Sequence, residues 1–348
     1  MRTTTFVVGL CVGAMTVGCD AADDGDAVAD SSGDSRGDAD GGDSSSSGSD
    51  TGARDGEQLL HEGARGSFFE DLAIAPDGAI VFTDLTGRTL LRYDDADGVR
   101  TLATLDDSPA GLAFDVDGTL YVTAMRESIL ELDDPFVASC TLWRVDGDGT
   151  ATRLLDAPEA GMLNGIERVA PGVFLVTDSS AATIWRFDAD DGVLTPWLHD
   201  DRLAPVPGFE APGANGLHVR DGVLWVANSA QAQLLRIAIG DDAEPVGALE
   251  VAMTSVVIDD FAFAASGEIY AATHLRDVIR IDADGHWSAV PVTEGLLVGP
   301  TSLAFGGAGL DASAIHVVSD GGLFFHRSDP EAASPARLVR IPVGEPGA

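Results

Sequence analysis

The chain has 348 residues, of which 45% are hydrophobic, and it contains 41 glycines and 16 prolines. This composition supplies an ample core with turn-forming residues throughout, although the length fits either one large domain or two ordinary ones. The formal net charge of −37 argues against nucleic-acid binding, because contacts to phosphates need lysine and arginine to displace counterions.

The chain begins with a pattern typical of an exported protein. Arg2 supplies a positive charge, and the apolar run 6–17 is too short to cross a bilayer as a helix. The run ends in Thr16-Val17-Gly18-Cys19, which resembles a bacterial lipobox except that Thr16 stands where leucine is usual. We therefore predict a lipoprotein signal peptide over 1–18, lipidation of Cys19 and anchoring in the bacterial cell envelope, with simple secretion as the alternative.

Residues 19–56 predict a disordered acidic tether. This stretch consists almost entirely of Asp, Ser, Gly and Ala, and no apolar residue recurs with the period of a strand or a helix. A flexible chain of this length spans about 30–35 Å, and charge repulsion extends it further. Beyond the tether only Cys140 remains, so no disulfide can form within the folded part, and we expect a packed core thiol there.

From residue 57 onwards one sequence unit recurs. Each copy has a polar residue, an alternating apolar run, a turn with glycine, a second alternating run and a third strand. The six copies begin at Glu70, Ala110, Asn164, Asn215, Asp260 and Thr301, and in the first five a turn glycine follows seven or eight residues later. The repeat predicts an all-β fold, a six-bladed β-propeller over 57–348, in which Leu59-Leu60 helps to close the last blade.

Because the first strand of each blade lines the central channel, the starts of the copies should form one ring around the axis. Glu70, Asn164, Asn215 and Asp260 would then bring carboxylate and amide oxygens together, the ligands that calcium prefers. Zinc or copper would favour histidine or cysteine, which this ring lacks. Taken singly, each Asn-Gly pair also fits a tight turn, and each carboxylate also fits a solvated strand end.

The ends of the second strands should form a further ring at the same end of the channel, because the strands of a hairpin are antiparallel. Its predicted members are Asp84, Met125, Asp178, Asn228 or Ser229, His274 and Asp320. His274 thus lies near the predicted metal ligands, although a lone histidine also fits a packing role. His218 lies inside a strand and has no comparable position.

These residues resemble the calcium-dependent propeller hydrolases that include gluconolactonase, regucalcin and, more distantly, paraoxonase. Glu70-Asp71-Leu72, Asn164-Gly165, Asn215-Gly216-Leu217 and Asp260 match, in order, the Glu, Asn, Asn and Asp ligands of that group. His274 falls where paraoxonases carry an active-site histidine. Blade two departs from the pattern, because Pro109-Ala110-Gly111 lacks the arginine and asparagine that hold a sugar lactone.

The resemblance implies one calcium site and hydrolysis of lactones or related esters, with His274, Asp260 or Asp320 as the general base. The expected partner is a small-molecule substrate, and we expect a monomer. The alternative is a non-enzymatic propeller that binds a ligand or a partner protein at the cell surface. An alkaloid-synthase-like propeller shares the architecture, but no residue supports it specifically.

Overall fold

The computed structural model describes residues 56–128, 139–275, 277–307 and 309–348. The predicted signal peptide 1–18, Cys19 and all but the last residue of the tether 19–56 lie outside these residues. No helix in the described part of the chain is long and apolar enough to cross a membrane.

The described chain forms six four-stranded antiparallel sheets, which are the blades of a propeller. The first strand, β1 (Gln58–Glu62), belongs to the last blade. Blade 1 contains β2 (Phe69–Ile74), β3 (Ile80–Asp84), β4 (Thr89–Asp94) and β5 (Gly98–Thr104). Blade 2 contains β6 (Ser108–Phe114), β7 (Leu120–Met125), β8 (Cys140–Val145) and β9 (Ala151–Ala157). Blade 3 contains β10 (Leu163–Ala170), β11 (Val173–Asp178), β12 (Thr183–Asp188) and β13 (Val193–His199).

Blade 4 contains β14 (Ala214–Arg220), β15 (Val223–Asn228), β16 (Gln233–Ile239) and β17 (Pro245–Thr254). Blade 5 contains β18 (Phe261–Phe263), β19 (Ile269–Ala272), β20 (Val278–Ile281) and β21 (Trp287–Ala289). Blade 6 contains β22 (Pro300–Phe305), β23 (Ala314–Ser319), β24 (Arg337–Pro342) and β1. In the described part of the chain, three single-turn 3-10 helices lie in loops, at Asp201–Leu203, Leu323–His326 and Pro330–Ala332. The predicted all-β, six-bladed architecture is confirmed.

The ring of blades is closed in blade 6, which combines β1 from the start of the described chain with β22, β23 and β24 from its end. Strand β1 pairs antiparallel with β24, with Gln58 opposite Arg340 and Leu59 opposite Val339. The partly buried Leu60 packs against the apolar cluster between blades 6 and 1. The predicted closing role of Leu59-Leu60 is therefore confirmed.

The core consists of apolar layers between neighbouring blades. Val81 and Leu90 of blade 1, for example, pack with Leu112 and Leu120 of blade 2. Cys140 lies in the next layer, where burial raises the pKa of its thiol to about 12 and its sulfur accepts the backbone N–H of Leu163. The cysteine is thus a core residue, as the sequence predicts.

One buried histidine makes stability depend on pH. His316 on β23 is 1% exposed, and among the described residues its Nδ1 has no hydrogen-bond partner. Burial, with the nearby Arg340 cation, lowers its pKa to about 4. In the unfolded chain the His316 imidazole binds a proton near pH 6.5, whereas in the folded protein it stays neutral until about pH 4. The folded state therefore loses stability as the pH falls from about 6.5 towards 4.

We expect the His316→Gln variant to lose this part of the acid sensitivity. The pKa difference corresponds to about 3 kcal/mol between neutral pH and pH 4. Urea unfolding of both proteins at steps between pH 7 and pH 4 measures the difference. Parallel stability curves over that range would contradict the prediction.

Candidate functional site

The pairing of the first two strands places one residue of each blade at a common level near the axis. Leu72 pairs with Phe82, Leu217 with Val226 and Phe261 with Ala271. The residue two positions before this pair defines what we call the axial ring. Its members are Glu70, Ala110, Asn164, Asn215, Asp259 and Thr301. Five are the predicted copy starts, and in blade 5 the register selects Asp259, one residue before Asp260.

Hydrogen bonds fix how the two ring amides face. The Nδ2 of Asn164 donates to Ser179 Oγ at 3.2 Å. The Nδ2 of Asn215 donates to Ser229 Oγ at 3.0 Å and also to Asp259 Oδ1. Because the nitrogens are engaged, the carbonyl oxygens are the atoms left to accept a further ligand.

The ring carboxylates lie in an environment that disfavours their ionised form. Glu70 Oε2 is buried and has no hydrogen-bond partner among the described residues. Burial, and next the charge of Asp259, raise the pKa of Glu70 well above its usual range. Burial also raises the pKa of Asp259, although His274 opposes the shift. Two such carboxylates beside two amide carbonyls fit a hard divalent cation such as calcium.

His274 lies between two carboxylates. Its Nδ1 is 2.6 Å from Asp259 Oδ2, and its Nε2 is 3.1 Å from Asp320 Oδ2. Burial alone would lower the imidazole pKa, but the charges of Asp320 and Asp259 outweigh it and raise the pKa well above the usual value. Both ring nitrogens face carboxylates, so neither is free to accept a proton from water.

Asp320 is fully buried and organises the loop after β23. Its two carboxylate oxygens accept the backbone N–H groups of Gly322 at 2.6 Å and Phe324 at 2.8 Å. With His274 as a third partner, this carboxylate is held from three sides. Asp320 is therefore placed to hold the His274 imidazole in position.

Two members of the predicted second ring, Asp84 and Asp178, stabilise the loops that follow their strands. Register places Leu85, Met125, Ser179, Ser229, His274 and Asp320 at one level after the second strands. Asp84 and Asp178 each lie one residue earlier. Asp84 Oδ1 accepts from the Gly87 amide at 3.0 Å, and Asp178 Oδ1 accepts from the Ala181 amide at 2.9 Å. Both carboxylates stabilise the loop that follows their strand.

A buried apolar group, which we call the cap cluster, lies at the end of the propeller where the first strands begin. Its members are Phe68, Leu85, Met125, Met162, Leu323, Phe324 and Ala333. His274 contacts it, with ring centroids 6.0 Å from Phe68 and 5.3 Å from Phe324. The imidazole is therefore covered by apolar side chains on this side.

A second polar network lies one level along the channel from the ring. Asp260 Oδ1 lies 2.9 Å from His218 Nε2, and Asp260 Oδ2 accepts from Ser302 Oγ at 2.6 Å. Ser302 Oγ also lies 2.8 Å from Asp71 Oδ1, and His218 Nδ1 lies 3.6 Å from Glu167 Oε2. Burial and the neighbouring Asp260 raise the pKa of Asp71 to about 7.

His218 was not selected in the sequence analysis, because a position inside a predicted strand does not reveal which side chains surround it. Burial lowers its pKa, but the charges and hydrogen bonds of Asp260 and Glu167 outweigh burial and raise it well above the usual value. The alternation of side chains along a strand could have indicated it. This alternation places His218 on the same strand face as Gly216, which follows the ring residue Asn215.

The glycines after the ring residues allow neighbouring blades to approach closely. Asn164-Gly165 lies within β10 and Asn215-Gly216 within β14, so neither pair forms a turn. A Cβ on Gly216 would lie 2.2 Å from Asp260 Oδ1 and 2.8 Å from the Asp259 carbonyl oxygen. A side chain here would push blade 5 away from blade 4.

The ring and this network line one cavity of about 990 Å³ along the axis. We call it the axial chamber. Glu70, Asn215 and Asp259 contribute to its inner wall, and His218 and Asp260 lie further along. Neither His274 nor Asp320 lines it.

An exposed acidic group lies elsewhere, on the turn between β20 and β21. Asp282, Asp284 and His286 could together reach one ion. Asp282 Oδ1, however, accepts the backbone N–H groups of Asp284 and His286, each at 2.9 Å. The carboxylate therefore has a structural role in the turn.

Known proteins share this architecture. No family model matches the sequence. A Phoma sp. protein described as a candidate hetero-Diels-Alderase is 24% identical over 306 residues, covering 76% of this chain and 86% of the relative.

Among solved structures, a gluconolactonase from Xanthomonas campestris superposes with a TM-score of 0.59 at 16% identity, covering 83% of this chain and 89% of that one. A calcium-binding regucalcin from Agrobacterium tumefaciens gives 0.60 at 17% identity, with coverages of 84% and 95%. A luciferin-regenerating enzyme gives 0.61 at 12% identity, with coverages of 84% and 97%. At these identities the similarity shows the fold, and the resemblance noted in the sequence is confirmed at that level.

We expect Gly216→Ala to destabilise the protein by about 1–3 kcal/mol, because the added methyl overlaps the backbone and carboxylate of the next blade. Gly147→Ala is the matched control, since a Cβ at Gly147 meets nothing within 4 Å. Urea unfolding of both variants measures the effect. Equal midpoints for the two variants would show that blade spacing does not depend on Gly216.

Proposed function

We propose that the protein is a calcium-dependent hydrolase of lactones or related esters. The observation that carries this proposal is the axial ring, in which two carboxylates and two oriented amides line one cavity while Glu70 Oε2 lacks a partner among the described residues. The fold shared with gluconolactonase and regucalcin structures supports it.

We assign Glu70, Asn164, Asn215 and Asp259 as the residues that would hold calcium. Bound there, the ion would polarise a substrate carbonyl and stabilise the negative charge that develops on its oxygen. The serines behind Asn164 and Asn215 hold the amides in one orientation, and His274 holds the Asp259 carboxylate. These contacts preorganise the ring for an oxygen-seeking cation.

Asp260, predicted from the sequence as a ligand or as the base, fits the second role better. Its carboxylate lines the axial chamber and is positioned by His218 and Ser302. A carboxylate so placed can accept a proton from a water molecule that attacks the carbonyl. His274 and Asp320 fit a positioning role, because each is already held by two or more partners.

A sugar lactone is not the substrate we propose. Blade 2 contributes Ala110 to the axial ring, and this side chain offers no hydrogen-bond partner to a sugar hydroxyl. Unpaired hydroxyl groups would lose their hydrogen bonds to water on entering such a site. Alkyl or aryl lactones fit better.

We expect Asp259→Asn to weaken calcium binding roughly 100-fold, because affinity follows the charge and number of oxygen ligands. Asp260→Asn, the adjacent matched variant, should retain calcium within about threefold and lose turnover. Calcium titration by calorimetry, beside hydrolysis of alkyl and aryl lactones with and without chelator, measures both.

Loss of calcium binding in Asp260→Asn alone would make Asp260 the ligand, as the repeat spacing suggests. Wild-type protein that binds no calcium would remove the mechanism. Calcium binding without chelator-sensitive turnover on any lactone would favour the alternative, a non-enzymatic propeller that binds a ligand or partner.

We further propose that Cys19 is lipidated and that the propeller is tethered in the cell envelope. The lipobox-like Thr16-Val17-Gly18-Cys19 supports this. Radiolabelled palmitate should enter the wild-type protein expressed in bacteria and not Cys19→Ala. Equal incorporation into both would contradict lipidation at this residue.

A further inference from the structure

We propose that a long loop of blade 6 is a lid over His274, and that an ion pair between Arg327 and Glu210 is its latch. The loop comprises residues 321–334, and we call it the blade 6 loop. The structure shows it closed. When it opens, His274 and the axial ring become reachable from the end of the propeller that the cap cluster covers.

The connection that contains the blade 6 loop is much longer than the equivalent connections of other blades. In blades 1, 3 and 4 the second strand joins the third through residues 85–88, 179–182 and 229–232, four residues each time. In blade 6 the same connection runs from residue 320 to residue 336, seventeen residues. Strands β23 and β24 nevertheless pair without a register shift, as the corresponding strands of blades 1, 3 and 4 do. The sheet therefore does not need the additional residues.

The two ends of the loop meet at a narrow neck. The backbone N–H of Ser334 donates to the Gly321 carbonyl oxygen at 2.9 Å, and Arg65 Nη1 donates to the Ala333 carbonyl oxygen at 2.8 Å. Gly321 and Gly322 both have left-handed backbone angles, with φ of +69° and +81°. Compact surface loops whose ends adjoin are frequently functional, and consecutive glycines can absorb the change in backbone angles that a hinge requires.

The first turn of the loop covers His274. Leu323 and Phe324 are buried in the cap cluster. The centroid of the His274 ring lies 5.3 Å from that of Phe324 and 5.6 Å from that of Phe325, which is itself 55% exposed. Side chains of the loop therefore lie between His274 and solvent at this end of the propeller.

The cap cluster can divide at the surface of the loop. Three of its seven members, Leu323, Phe324 and Ala333, come from the blade 6 loop. The other four lie in or beside the strands of blades 1, 2 and 3. Movement of the loop would thus separate the two groups without breaking a strand pairing. The free energy that opposes this movement is that of one apolar contact surface and of the latch.

The latch joins the loop to the connection between blades 3 and 4. Arg327 Nη2 lies 3.1 Å from Glu210 Oε2, and the Glu210 side chain is 76% exposed. Exposed ion pairs contribute little stability, so this contact can open and close readily. Arg327 also lies over the Phe324 ring, 4.7 Å from its centroid, and donates to the Phe324 carbonyl oxygen at 3.1 Å. The arginine therefore couples the latch to the side chain that covers His274.

Two methionines of the cap cluster can report the opening, because Met125 and Met162 are 0% and 4% exposed when the loop is closed. Peptide mass spectrometry of the full chain measures their combined rate of oxidation by hydrogen peroxide. We expect Glu210→Ala to raise this rate about threefold. Arg327→Ala should raise it about tenfold, since the contacts to Phe324 are lost as well. Adding Glu210→Ala to Arg327→Ala should raise it no further.

Arg236→Ala is the matched control, because Arg236 makes the same kinds of contact away from the loop. It lies 3.2 Å from Glu250 and 5.6 Å from the centroid of the Trp225 ring. We expect the wild-type oxidation rate in this variant. Equal acceleration in the control would attribute the exposure to a general loss of stability, and wild-type rates in Glu210→Ala and Arg327→Ala would exclude the latch. Either result would overturn the proposal.

The inference goes beyond the proposed hydrolase function and does not rest on it. Peroxide oxidation requires neither calcium nor a substrate. A loop that opens in a protein without lactonase activity would leave the lid standing and refute the proposed chemistry. Chelator-sensitive turnover without any effect of the latch variants on oxidation would do the reverse.

Discussion

Neighbouring blades of a propeller share no backbone ladder, so something else must fix the height of one blade against the next. Here threonine hydroxyls on the second strands donate to the backbone carbonyl of the ring residue in the following blade. Thr123 reaches Asn164 at 2.6 Å, and Thr177 reaches Asn215 at 2.7 Å. Apolar packing between blades is non-directional and allows one blade to slide past the next. These buried hydrogen bonds allow little such movement, because a small shift would break them. The position of the axial ring therefore depends on these bonds, and the glycines beside the ring let the blades come close enough to form them.

The adjacent acids of blade 5 divide the axis into two chemical regions. Asp259 turns towards His274 and the cap cluster, while Asp260 turns towards His218 and the chamber. Each carboxylate thus has an imidazole of its own, which offsets part of the cost of burying neighbouring negative charges. In the proposed function, the same division would separate two tasks, holding a cation and facing a ligand, within two consecutive residues.

The repeat made the fold and the order of ring residues predictable, because every blade uses the same turn and the same alternation. The choice between Asp259 and Asp260 was not predictable from spacing. The turn glycine follows Asn164 by eight residues and Asn215 by seven, because β10 has a second register irregularity, between Arg168 and Ala170, that β14 lacks. Both spacings therefore occur, and Gly267 fits either acid. The cap cluster depends on how loops between blades pack, and such contacts leave no periodic signal.

The acidic walls have a consequence for turnover as well as for binding. In the proposed reaction, hydrolysis of a neutral lactone would create a carboxylate inside the chamber, beside Asp71 and Asp260. These carboxylates would repel the carboxylate of the product and favour its release. Ring opening would thus convert a neutral ligand into an anion that a chamber of this charge binds less tightly.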